Sequence, residues 1–134
     1  MLAVKQALQR GYERLVLVGM LGGRRDHTLA NIQTLVNAVE QGAAAQIIDS
    51  SCYITVIKGG QTAQIPYQQG IHNSEFCHSD SASGECIRHA KYELEDAQLT
   101  NGFPIGVSNS FLEGQPAQNS VKQGILVILS TGGD

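Results

Sequence analysis

The chain has 134 residues, with 12 acidic side chains against 9 basic ones and a formal net charge of −3. That length buries one core, or one domain with part of another, and the acidic balance excludes an ordinary nucleic-acid surface, which carries a basic excess. No apolar run approaches the roughly 20 residues of a membrane span, residues 1–10 lack the pattern of a signal peptide, and 3 unevenly spaced cysteines fit a reducing cytoplasm, so neither a membrane nor a nucleic-acid partner is expected.

Leu2, Val4, Ala7 and Leu8 recur near helical spacing, with Gly11 as the stop. Residues 15–21 are a nearly continuous apolar run, which predicts a strand covered on both faces. A second helix follows, with Leu29, Ile32, Leu35, Val36 and Val39 on one apolar face and Gly42 at its end. Residues 45–48 read as a short strand. Helix, strand, helix, strand is an α/β pattern, yet two strands make a poor sheet, so this half is expected to be part of a larger α/β unit.

The pattern changes at residues 49–52. Residues 53–58 are rich in β-branched side chains, Gly59 and Gly60 make a turn, and residues 61–66 resume an extended pattern. Further short strands are predicted over residues 85–94, 98–100, 106–111, 118–121 and 125–129. Strands at this spacing indicate a β-sandwich or barrel. No internal repeat or low-complexity tract interrupts them.

Residues 22–35, GGRRDHTLANIQTL, carry the chemistry most plainly. Two glycines after a strand let a ligand approach the backbone, first-turn amides point at an anion, and the arginines add positive charge. Gly22, Gly23 and Arg24 would orient phosphates, or form a plain surface turn. Asp26 is open to three roles: helix cap, partner for an arginine, or contact with metal or substrate. His27 would face ligand or solvent, and Asn31 would bond across the turn or fix the helix to the sheet. Cys77, His78, Cys86 and His89 lack the regular pairs of structural zinc sites, so no metal site is assigned. Glu93, Glu95 and Asp96 read as a solvated strand end.

GGRRDHTLANIQTL resembles the GGR-x-DH-x-x-x-N-I motif of thiamine pyrophosphokinases. AKYELEDAQL followed by FPIGVSNSF resembles that family's second signature, a lysine-aromatic pair preceding a Ser-Asn turn. Arg25 departs from the apolar residue common at its position, and His89-Ala90 replaces the usual Gly-Leu. The resemblance implies an α/β plus all-β fold: residues 1–50 as the C-terminal portion of an α/β catalytic domain, then residues 51–134 as a β-sandwich that binds thiamine. It implies transfer of a pyrophosphoryl group from ATP to the thiamine hydroxyl, giving thiamine diphosphate and AMP, with magnesium. It also implies a homodimer whose active sites are shared between domains and subunits.

In that setting Arg24 and Asp26 are the expected catalytic residues, and Gly22, Gly23, His27, Asn31, Tyr92, Ser108 and Asn109 the expected substrate-binding ones. Tyr92 would lie against the thiamine ring, since an aromatic face attracts a cation, or pack as a strand tyrosine. Ser108 and Asn109 would bond the pyrimidine, or simply form a turn. The family's acidic metal-binding motifs lie upstream of the GGR block and have no match here, so the isolated chain is expected to be incomplete for catalysis. The alternative is a non-catalytic module for thiamine binding and dimerisation.

Overall fold

The computed structural model describes residues 1–132. It begins with helix α1 (Leu2–Gln9), strand β1 (Arg14–Val18), helix α2 (Arg25–Glu40) and strand β2 (Ala44–Ile48). Then come β3 (Cys52–Lys58), β4 (Thr62–Ile65), β5 (Ile71–Cys77), β6 (Ser81–Arg88), β7 (Leu94–Thr100), β8 (Gly106–Ser110), β9 (Ala117–Ser120) and β10 (Ile125–Gly132). Among the described residues these strands form a six-stranded sheet in the order β1-β2-β3-β10-β5-β8 and a four-stranded sheet in the order β4-β9-β6-β7. The β1–β2 pair is parallel, as a crossover through a helix requires, and the other pairs are antiparallel.

Two cores result. On one face of the large sheet, α2 buries Leu35, Val36, Ala38 and Val39 against Ala45, Ile47, Ile54, Val56 and Val127. Between the two sheets lie Ile57, Leu126 and Ile128 with Ile65, Ala82, Leu99, Ala117 and Val121. Strand β10 is therefore covered on both faces, which accounts for its unbroken apolar run. Gly42 ends α2 in a left-handed turn at φ 94°, with the Ala43 amide returning to Ala38 O at 3.1 Å.

Several expectations need correction. The strand predicted over residues 15–21 ends at Val18, where Gly19 turns the chain at φ 69°. It is not covered on both faces: Val16 is 55% and Val18 74% exposed, because β1 is an edge strand and only Leu15 and Leu17 face the α2 core. Leu29 lies off the buried face of its helix. Residues 85–94 are not one strand; β6 ends at Arg88, and His89 turns the chain at φ 61°. Strand β5 was not predicted at all, because it buries Asn73, Ser74 and Glu75, whose polarity hides the pattern. Residues 49–51 form a tight turn around which β2 and β3 pair antiparallel, with the Asp49 amide donating to Cys52 O at 2.9 Å.

Candidate functional site

The glycine-rich turn crosses from the C-terminal end of β1 to the first turn of α2. Open space lies where a Cβ would stand on Gly22 or Gly23, so neither backbone is obstructed. Arg24 occupies the N-cap position with no side-chain cap bond, so Asp26 does not cap the helix. Instead Arg24 grips it: Nη2 donates to Asp26 Oδ2 at 2.6 Å and Nε donates to Oδ1 at 3.2 Å. That guanidinium holds the Asp26 carboxyl below its usual range. The pair lies in solvent and orders the turn more than it stabilises the fold. Asn31 Nδ2 donates to Met20 O at 2.6 Å and ties α2 to the loop after β1. Met20, Gly22, Gly23, Arg24, His27 and Asn31 surround one open hollow of about 420 Å³.

The second group lies at the other end of the large sheet. Asn109 is buried, and its side chain clasps the backbone of Tyr92. Its Oδ1 accepts from the Tyr92 amide at 3.0 Å and the Ser110 amide at 2.9 Å, while its Nδ2 donates to Tyr92 O at 2.7 Å. Its amide is thus engaged by protein backbone rather than presented to a ligand. The clasp leaves the Tyr92 ring 61% exposed, with Lys91 Nζ 5.3 Å from its centroid, so the ring face is already set toward a cation. Ser108 is exposed in the left-handed region at φ 60°, and its amide donates to Ser74 Oγ at 2.9 Å. Left-handed backbone is uncommon for a residue other than glycine and concentrates at functional sites. Tyr92, Asn109, Ile87, Leu94, Ile105 and Gly106 line a small, mainly apolar cleft of about 90 Å³.

Behind this cleft is a polar cluster that sequence reading missed. Glu75 Oε1 accepts from Asn73 Nδ2 at 2.7 Å and from Asn119 Nδ2 at 2.6 Å, and Ser130 Oγ donates to Asn73 Oδ1 at 3.0 Å. Glu85 is equally buried. Among the described residues, Glu75 Oε2 and both Glu85 carboxyl oxygens have no hydrogen-bond partner. Burial pushes the Glu75 carboxyl up to about 7, with the Asn119 amide opposing the rise and Glu85 adding to it; burial likewise pushes Glu85 up to about 7. The only sequence signal was an alternation of Asn73 and Glu75, easily taken for a polar loop.

The structure does not bring the two groups together. The hollow adjoins β1 and the cleft adjoins β8, at opposite edges of one six-stranded sheet. Five strand spacings, about 24 Å, separate them. No three His, Cys, Asp or Glu side chains converge as a metal site among the described residues. At the hollow, Asp26 has both oxygens on Arg24, a donor set that does not fit a magnesium ion. Nor is any helix among the described residues long and apolar enough to cross a membrane.

A strand–turn–helix unit with an open glycine-rich hollow, continued in one sheet into a two-sheet β-structure with a small apolar cleft, defines the class. No protein-family model matches the chain. It is 27% identical over 135 residues to the thiamine pyrophosphokinase of Bacillus subtilis (strain 168), covering 97% of this chain and 61% of that protein. The crystal structure of thiamine pyrophosphokinase from Bacillus subtilis superposes with a TM-score of 0.86 at 26% identity, over 98% of this chain and 61% of that one. Thiamin pyrophosphokinase from Geobacillus thermodenitrificans shares the fold with a TM-score of 0.82 at 22% identity, over 99% of this chain and 60% of that one. In sequence and in fold the chain is thus similar to thiamine pyrophosphokinases. It spans about three fifths of the length of these relatives.

Proposed function

We propose that the chain is the thiamine- and phosphate-binding part of a thiamine pyrophosphokinase, which converts ATP and thiamine to thiamine diphosphate and AMP. The observation that carries this reading is the Asn109 clasp, which holds an exposed aromatic ring beside an apolar cleft. Residues 51–134 would hold thiamine: the Tyr92 ring faces the cationic thiazolium, Ser108 bonds the pyrimidine, and Asn109 positions Tyr92. Residues 1–50 would serve as part of the catalytic domain. There Gly22 and Gly23 admit a phosphate, Arg24 steadies its charge, and His27 and Asn31 flank it. Asp26 sets the Arg24 guanidinium in place until phosphate takes over that contact.

The thiamine hydroxyl oxygen attacks the β-phosphorus of ATP. The bond from that phosphorus to the oxygen shared with the α-phosphorus breaks, AMP leaves with the electron pair, and the hydroxyl proton passes to solvent. Such transfer is mainly positioning and charge stabilisation. The roughly 24 Å between the sites in one copy supports assembly of the reacting pair across a homodimer. Exposed Phe103, Ile105, Val107 and Leu112 near the cleft support the same reading.

Calorimetric titration with thiamine, and separately with ATP, tests the assignment. Tyr92→Ala is expected to lose thiamine affinity but keep ATP affinity, and Arg24→Ala the reverse; two variants that both bind like the parent sink it. Little AMP release is expected from the chain alone, because among the described residues no carboxylate lines the hollow and neighbouring Asp26 is engaged by Arg24. Thiamine binding with no AMP release under any pairing of copies would favour the non-catalytic binding module.

A further inference from the structure

Glu75 stands directly opposite Gly106 in the β5–β8 pairing. With Oε1 taken by two amide donors, the carboxyl proton belongs on Oε2, the oxygen that has no partner among the described residues. That oxygen is turned toward β8: a Cβ built on Gly106 would lie 3.0 Å from it. Gly106 itself lines the Tyr92 cleft, so a residue with no side chain separates a buried carboxyl oxygen from the ring-binding space.

We propose that Glu75 is the charge-selecting residue of the Tyr92 cleft: it favours a cationic heteroaromatic ring there and releases its proton to solvent as the ring binds. The inference rests on the reading of that cleft as the ligand site. A buried carboxyl keeps its proton because ionisation in a poorly polarisable interior is costly. A unit positive charge in the adjoining cleft offsets that cost more strongly than it would in water. The Oε2–H bond then breaks, the carboxylate remains opposite the cation, and one proton goes to solvent. The other titratable group facing Glu75 is Glu85 of β6, with Cys77 close to Glu85. Strands β8, β9 and β10 present Gly106, Asn119 and Ile128, and the charged group nearest the Tyr92 ring is Lys91, with Nζ 5.3 Å from the ring centroid.

The test titrates the full chain with thiamine, and with an uncharged isostere carrying thiophene in place of thiazolium, between about pH 5.5 and pH 8. Thiamine affinity is expected to rise with pH, by up to about tenfold per pH unit where the linkage is complete. Calorimetry in buffers of different ionisation enthalpy should report proton release with thiamine and none with the isostere. Glu75→Gln keeps an oxygen for Asn73 and Asn119, and should abolish the pH slope and the proton release while leaving isostere affinity unchanged. A folded Glu75→Gln that retains them, or a parent chain that releases no proton, overturns the proposal. Should Glu75→Gln fail to fold, Glu85→Gln decides: release that persists supports Glu75, and release that disappears assigns the proton to Glu85 and overturns it. Thiamine binding that is sensitive to Tyr92→Ala but has no pH slope overturns this inference alone. Absent thiamine binding, or binding indifferent to Tyr92→Ala, overturns the reading of the cleft and the inference with it.

Discussion

The hollow around Arg24 and the cleft beside Tyr92 occupy opposite edges of one sheet and are held in place by different means. At the hollow Arg24 bonds Asp26 in solvent and Asn31 bonds Met20 O, while the buried charged residues among those described, Glu75 and Glu85, belong to the β-structure at the other edge. At the cleft an exposed ring is fixed by a buried amide, and behind that amide lie Asn73, Glu75, Asn119 and Ser130, closed off from water. A phosphate carries its own charge and needs only donors within reach. A ring needs a wall in a fixed place, and fixing a wall from inside the protein leaves polar groups whose state matters to stability. The two edges should therefore respond oppositely to substitution.

The largest difference is expected in pH dependence. Glu75 and Glu85 keep their protons in the folded chain at pH values where the unfolded chain has lost them. Their contribution to stability is therefore fully present below the ordinary carboxylate value of 4.5, is lost as pH rises toward about 7, and is gone above it. The loss is on the order of a few kcal/mol. Denaturant melts across that range measure it, and Glu75→Gln or Glu85→Gln should flatten the curve. An unchanged slope in both variants would place its origin elsewhere.

Next comes the clasp. Asn109→Ala strips the Tyr92 backbone and the Ser110 amide of their partner, at a cost of about 1–3 kcal/mol in stability. Asn109→Asp keeps the acceptor oxygen and should recover part of that loss. Thiamine affinity should fall in step with the loosening of Tyr92; affinity that survives a destabilised Asn109→Ala would separate the clasp from the ligand.

A smaller effect follows at the ring itself. Tyr92→Ala should weaken thiamine binding by roughly 0.5–2 kcal/mol, and Tyr92→Phe should keep most of it because the ring face remains. The fold should tolerate both, since the side chain is largely exposed. A variant that melts early yet binds normally while folded would make Tyr92 structural.

At the hollow, Arg24→Ala and Asp26→Ala should leave the melting temperature where it is, because both side chains stand in solvent. Arg24→Ala should weaken ATP binding, and Asp26→Ala should not, since it frees the guanidinium. Equal loss in both variants would mean that the pair acts as a unit.

The sequence by itself determined the elements whose pattern is local. Strand, glycine turn and helix are legible between residue 15 and Gly42, residues 125–129 read as a strand, and the GGRRDH and SNS blocks point to the thiamine pyrophosphokinases that the comparisons find similar. Only the tertiary structure decided which of the roles open to Asp26 it takes, that the Asn109 amide turns to Tyr92, and that the two candidate sites lie a sheet's width apart. It alone revealed β5 as a strand. Local pattern equates burial with apolar side chains, whereas Asn73, Glu75 and Asn119 are buried while bonding one another across sequence separations of 44 and 46. Partners so distant leave no periodic trace, since the hydrogen bonds that make burial tolerable exist only once the two sheets have closed.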